Sequence, residues 1–238
     1  RDRQNRFKSS SDKRISLLDE FHRFVKRFSP DYIILENVPG MQKITEGPFT
    51  KFTKLLTELE YQFRSDIKNA MDYGVPQSRK RLVLIASKHG AIELPEETHG
   101  NGKIPYKTVA EAIKKYPPLQ SGEQNIDIPN HQCAQLSPLL LRRISVLKEG
   151  GSRSDWRDEL KLKCHNSHSG HTDVYGRLSW DKPSVTLTTR CVSLSNGRFG
   201  HPEQNRALSV REAAAIQTFD DDFIFFGSLG ETAKQVGN

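Results

Sequence analysis

Residues 14–87 switch between helical and strand-like spacing of apolar side chains. Leu18, Phe21, Val25 and Phe28 recur every three or four positions, with Asp19, Glu20, Arg23 and Lys26 between them. That spacing predicts an amphipathic helix over 14–28, ended by Ser29-Pro30-Asp31. Tyr32-Ile33-Ile34-Leu35-Glu36 shows no polar alternation, which predicts a strand covered on both faces, as in a parallel sheet. Pro39-Gly40 breaks it. A second helix is predicted over 48–60, with Phe49, Phe52, Leu55, Leu56 and Leu59 on one face. An extended segment is predicted over 61–67 and another buried strand over 81–87. Helix, strand, helix, strand, strand is an α/β order. Two or three strands do not complete a doubly wound sheet, so residues 1–88 read as an incomplete domain segment.

From about 90 to 200 the apolar runs shorten and Gly, Pro, Asn, Ser and His become common, the character of recognition loops. A short helix is expected from Leu139 to Leu147. Periodicity returns at 207–218, where Ser209 and Glu212 have the spacing of a capping box.

The chain has 238 residues, enough for one large domain or one domain and a smaller partner. No apolar stretch is long enough to span a bilayer, and the polar start Arg1-Asp2-Arg3-Gln4-Asn5-Arg6 is not followed by a signal-peptide core. Three scattered cysteines give no disulfide framework and fit a reducing cytoplasm. The net charge of +7 suits a polyanionic partner, though a generically basic protein has the same balance.

Four groups of residues carry candidate chemistry. Glu36-Asn37-Val38 puts a carboxylate at the end of a strand, where open α/β sheets bind ligands. In Gln77-Ser78-Arg79-Lys80-Arg81, the residues Gln77, Arg79 and Arg81 share one parity, so two guanidiniums on one face could clamp a phosphate or hold a carboxylate. The third group runs from Arg206 to Gln217, followed by Phe219, Asp221, Asp222 and Phe223, and the fourth is Gln235-Val236-Gly237-Asn238.

In this order the four groups resemble the C-terminal two-thirds of the DNA (cytosine-5)-methyltransferases. Glu36-Asn37-Val38 matches the family's Glu-Asn-Val motif, and Gln77, Arg79 and Arg81 match its Gln-x-Arg-x-Arg. Arg206, Leu208, Ser209, Arg211, Glu212, Ala214, Gln217, Thr218 and Phe219 match the motif that follows the recognition region, and Gly237-Asn238 opens the last one. Residues 150–200, with Pro183 to Arg190, look like the bacterial branch.

The resemblance implies an α/β fold: part of a Rossmann-like S-adenosylmethionine-dependent methyltransferase sheet, with a smaller, irregular target-recognition domain. It divides the chain into 1–88 (catalytic), 89–205 (target recognition) and 206–238 (a return to the catalytic domain). The implied reaction moves a methyl group from S-adenosylmethionine to C5 of a cytosine flipped out of duplex DNA, as in bacterial restriction-modification in the cytoplasm. Glu36 would hold the base and donate a proton as a cysteine thiolate adds, helped by burial that adjusts its acidity. Asn37 would hold the nucleophile loop, and Arg79 and Arg81 would orient Glu36, the base or a phosphate, with the division between them open. Gln77, Thr186 and Leu187 are the implied DNA-binding residues, and Asn238 would lie near the cofactor; Arg190 and Arg198 are further candidates for DNA contact in the recognition region.

Two family elements are missing. No Pro-Cys-Gln nucleophile occurs, since Cys133, Cys164 and Cys191 all follow Glu36, and no Phe-x-Gly-x-Gly cofactor loop occurs. The expectation is therefore a portion of a longer enzyme, or one subunit of a split enzyme, whose partner supplies the cofactor loop and nucleophile. Residues 1–238 alone are expected to transfer no methyl group. The alternative is a DNA-binding module without chemistry; an RNA substrate is less favoured because the long variable region suits a duplex reader. Cys164, His165, His168 and His171 have metal-like spacing, but adjacent Cys-His residues rarely face one ion and a second ligand pair is lacking, so no metal is expected. Phe219, Phe223, Phe225 and Phe226 are expected in the core, and Trp156 and Trp180 could pack or stack on bases.

Overall fold

A computed structural model describes residues 16–162 and 173–238; the Cys164, His165, His168 and His171 group lies outside them. The chain forms two compact units, one from Arg1–Asn69 with Lys80–Glu97 and the other from Ala70–Arg79 with Thr98–Asn238.

The first unit orders its elements as α1 (Ser16–Phe28), β1 (Tyr32–Asn37), α2 (Pro48–Glu58), β2 (Gln62–Asn69) and β3 (Lys80–Ser87). β3 is central, with β1 and β2 both antiparallel to it. Its alternate residues Leu82, Leu84 and Ala86 are fully buried and join Leu18, Val25, Phe52 and Leu56 of the two helices in one core. Burying Phe52 and Leu56 contributes roughly 1.5–3 kcal/mol each. The α1–α2 contact is anchored by Phe21 and Phe52, with ring centroids 5.4 Å apart.

The expectation of a strand covered on both faces is corrected here. Tyr32 and Ile34 are 62% and 76% exposed, whereas Ile33 is buried. The helices cover one face of an antiparallel sheet, so the apolar run 32–35 is split by its own pleat. Phe28, expected on the buried face of α1, is also 64% exposed.

The second unit is held mostly by short elements and loop-to-loop hydrogen bonds. It contains α3 (Val109–Ile113), α4 (Pro138–Ser145), α5 (Val210–Ile216) and α6 (Leu229–Gly237). Val109, Ile113, Leu187, Phe199, Leu208 and Val236 belong to its main core. The capping box expected at α5 is present: Ser209 Oγ accepts from Glu212 N at 3.1 Å, and Glu212 accepts from Ser209 N at 2.8 Å. α6 begins the same way at Ser228 and Glu231. No helix among the described residues is long and apolar enough to cross a membrane.

Glu212 also ties α5 to the preceding loop. It is fully buried, and both its oxygens accept from Arg206, each at 2.7 Å. His201 packs beside this pair, with Nδ1 accepting from the N–H groups of Glu203 (3.2 Å) and Gln204 (3.0 Å). A proton on Nδ1 would displace both donors. Burial pulls the imidazole down to about 4, against the pull of Glu212 in the other direction. Because this folded value lies below the ordinary 6.5, the unfolded chain takes up the proton first as pH falls. The neutral imidazole therefore contributes stability above pH 6.5 that is lost toward pH 4, about 3 kcal/mol at most. Thermal melts across this range should show the midpoint falling, and His201→Gln should flatten that part of the profile. An unchanged profile in the variant would reject the assignment.

Candidate functional site

In the first unit, Glu36 stands one residue before the end of β1 and Arg81 is the second residue of β3. Glu36 faces Val83 across the ladder, and Arg81 stands two residues before Val83, so both side chains occupy the same face. That is the face opposite buried Leu82 and Leu84. Arg81 Nε meets Glu36 Oε1 at 2.7 Å, with the two side chains 20% and 55% exposed. The structure therefore selects Arg81 as the partner of Glu36. The carboxylate is held by position and by one guanidinium; the burial expected around it is absent among the described residues. Asn37 accepts from Val38 N at 2.8 Å, which fixes the turn into the 3-10 segment Pro39–Lys43.

Gln77 and Arg79 belong to the second unit. Residues 76–78 run beside the loop at 184–186: Ser184 N donates to Pro76 O at 2.9 Å, and Ser78 N donates to Ser184 O at 2.8 Å. Thr186 Oγ1 donates to Ser78 O at 2.8 Å. Leu187 is gripped through both sides of its peptide. Its N–H donates to Gln77 Oε1 at 3.0 Å, and its carbonyl accepts from Arg79 Nη1 at 3.0 Å. Arg79 Nη2 reaches the backbone oxygen of Asn238 at 3.3 Å. The two arginines thus have separate partners rather than a shared one.

Gln77 is completely buried, and Leu187 is 1% exposed. Arg190 is exposed and lies beside an open cleft of about 560 Å³, lined also by Ser193, Ser228, Glu231 and Lys234. Arg198 turns inward: Nη1 donates to Gly150 O at 2.6 Å, and Nη2 meets Asp173 at 3.1 Å. Asn238 is exposed just past α6. Trp156 is structural, being buried, bonded to Arg143 O at 2.9 Å and packed under the Arg143 guanidinium. Trp180 Nε1 donates to Glu203 at 2.7 Å. Phe219, Phe223 and Phe225 form a ring cluster with centroids about 5 Å apart; Phe225 is buried and Phe219 packs partly buried against the core, as expected, but Phe223 is 49% exposed and caps the cluster from outside the core. Phe226, by contrast, is 79% exposed and is not core.

Arg177 carries no sequence signal and yet ties several turns together. It is 2% exposed and donates to the carbonyls of Ile144, Leu147, His201 and Gln204. Among the described residues, no group of three His, Cys, Asp or Glu is placed to hold a metal ion.

Comparison with known proteins gives this geometry a context. The chain is 40% identical to the Type II methylase M.HgiDII of Herpetosiphon aurantiacus, over 97% of this chain and 67% of that protein. It is 38% identical to the Type II methyltransferase M1.HphI of Haemophilus parahaemolyticus, over 96% of this chain and 58% of that protein. The chain thus spans little more than half to two thirds of the length of these relatives. Its fold is that of a prophage-encoded E. coli protein described as a DNA modification methyltransferase, with a TM-score of 0.69 at 21% identity, covering 95% of this chain and 70% of that one. The ordered motifs around Glu36, Arg81 and α5 lie within a match to the C-5 cytosine-specific DNA methylase family that takes in residues 4–238, and the chain belongs to that family.

Proposed function

We propose that this chain is the base-holding and DNA-holding part of a DNA (cytosine-5)-methyltransferase of a bacterial restriction-modification system, acting in the cytoplasm on duplex DNA. The observation that carries the reading is the Glu36–Arg81 pair at the mouth of the sheet. A carboxylate fixed by a guanidinium can accept hydrogen bonds from a cytosine edge without swinging away. Glu36 holds the flipped base, Arg81 orients Glu36, and Asn37 shapes the turn after it. Arg79 holds the loop at Thr186–Leu187, from which Thr186 and Arg190 face DNA, while Arg198 supports the Gly150–Gly151 turn behind them. Residues 89–205 serve as the target-recognition region, between catalytic segments 1–88 and 206–238.

S-adenosylmethionine is the methyl donor this reading implies. The exposed amide of Asn238 is the single group here assigned to it, and one amide does not make a cofactor site. The nucleophile is assigned to a segment or subunit outside these residues. Burial pushes the Cys133 thiol up and takes Cys191 to about 11, so neither supplies a thiolate near neutral pH.

The test is a graft of residues 1–238 in place of the matching segment of M.HgiDII, expressed in a host without cytosine methylation. Bisulfite sequencing of host DNA is expected to show 5-methylcytosine for the graft and none for residues 1–238 alone. A soluble graft that leaves host DNA unmethylated would overturn the function. Methylation by residues 1–238 alone would overturn the assignment of the nucleophile elsewhere.

A further inference from the structure

Gln77 and Gln217 form a relay with one permitted direction. Leu187 N–H donates to Gln77 Oε1 (3.0 Å), Gln77 Nε2 donates to Gln217 Oε1 (2.7 Å), and Gln217 Nε2 donates to Val236 O (2.7 Å). A backbone N–H can only donate and a backbone carbonyl can only accept, so the two ends fix the orientation of both amides. The relay joins the loop at 186–189 to the last turn of α6. Two further observations join the same two places. Arg79 bonds to both Leu187 O and the backbone oxygen of Asn238. At Gly237, an added Cβ would lie 2.2 Å from Thr188 O and 2.4 Å from Thr189 N, so helix and loop backbones touch where only glycine fits.

We propose that Gln217, acting through Gln77, is a positioning residue that locks the loop carrying Thr186 and Arg190 onto the end of α6, and that Gln77 serves this lock instead of touching DNA. The inference rests on the reading of that loop as a DNA contact. It follows from geometry: Gln77 has no exposed surface, and both halves of its amide are used inside the protein. A loop whose central peptide is held from both sides presents its outer side chains in one arrangement, which removes an ordering cost from binding.

A glutamate at 217 makes the proposal testable. An ionised carboxylate accepts from Gln77 but cannot donate to Val236 O, and flipping the neighbouring amide only moves the mismatch along the relay. A protonated carboxyl has one donor and one acceptor, like the amide it replaces. Gln217→Glu should therefore regain the lock as pH is lowered, and Gln217→Leu should not. The readouts, on the full chain, are amide exchange protection at Leu187 and affinity for a mixed-sequence 30-base-pair duplex, each relative to the parent at the same pH. At pH 8 both variants are expected to lose about tenfold or more of Leu187 protection and several-fold of DNA affinity. At pH 5 only Gln217→Glu should recover both. Unchanged Leu187 protection in Gln217→Glu at pH 8 would overturn the relay. Lost protection with DNA affinity within twofold of the parent would overturn its positioning role. If the parent itself fails to bind duplex DNA, the DNA-contact reading of the loop and the positioning role that rests on it fall, while the exchange arm still decides the relay. Should Gln217→Leu not fold, the pH 8 against pH 5 comparison within Gln217→Glu decides the matter alone.

Discussion

Arg206→Met is expected to destabilise the second unit by about 3–5 kcal/mol, the cost of leaving a buried carboxylate without its partner. Arg206 and Glu212 are 0% and 1% exposed, and their two bonds of 2.7 Å are reinforced by Ser209 N on the same carboxylate. Burial by itself would raise the pKa of Glu212, but the Arg206 hydrogen bonds and charge outweigh it and hold the carboxyl below its usual range. A value depressed in the fold means that the pair's contribution is present above the unfolded carboxyl's range and is lost as acid protonates Glu212. The variant should therefore differ most from the parent near neutral pH and least in strong acid. Trp156 and Trp180, the two tryptophans of the chain, both lie in this unit, so urea melts followed by tryptophan fluorescence report it directly. Adding Glu212→Gln to Arg206→Met should recover part of the loss, because the orphaned charge is then gone. A single-variant loss below about 1 kcal/mol would mean that water reaches the carboxylate.

Glu36→Gln, made in the methylating graft, is expected to lower kcat by about 10²- to 10⁴-fold, the usual range for a group that moves a proton in the rate-determining step. The amide keeps an acceptor for Arg81 and nearly the same shape, so DNA affinity should change by less than about threefold. A loss confined to kcat identifies an interaction made in the transition state; equal losses of rate and affinity would reassign Glu36 to structure. Arg81→Leu tests the orienting role. It removes the 2.7 Å bond while leaving the carboxylate in place, so it should move kcat in the same direction by a smaller factor. Single-turnover methylation and DNA titration on the same preparations separate these outcomes.

Glu36 and Arg81 were legible as candidates because each stands at the end of an apolar run, and such runs mark strand ends whatever packs around them. Which arginine would meet Glu36 was not legible. Arg79 and Arg81 have the same parity, yet the chain leaves the second unit between 79 and 80, and only Arg81 sits in β3. The misreading of Tyr32–Leu35 has a similar cause. An unbroken apolar run is compatible with a strand buried on one face or two, and that both neighbouring helices pack on the Ile33 side, leaving Ile34 exposed, is settled by how α1 and α2 fold back on the sheet, not by the run itself. α6 is hard to read from the sequence although Ser228 and Glu231 repeat the capping signal of Ser209 and Glu212, because its nine residues give little room for a period to show.

Gln77 and Gln217 mark the sharper limit. Both are motif residues, and the family resemblance implies a DNA contact for Gln77. Its burial follows from a partner 140 positions away, whose amide completes a chain of donors and acceptors no local pattern contains. The sequence by itself determined what depends on nearest neighbours: helix periods, strand runs, caps, and the order of motifs that places the chain in its family. Only the tertiary structure decided which face of β1 is covered, which arginine meets Glu36, and that Gln77 is buried with both ends of its amide bonded inside the protein. Those outcomes depend on which polar groups find partners once distant segments meet, and a buried amide must satisfy both of its ends wherever the fold puts it.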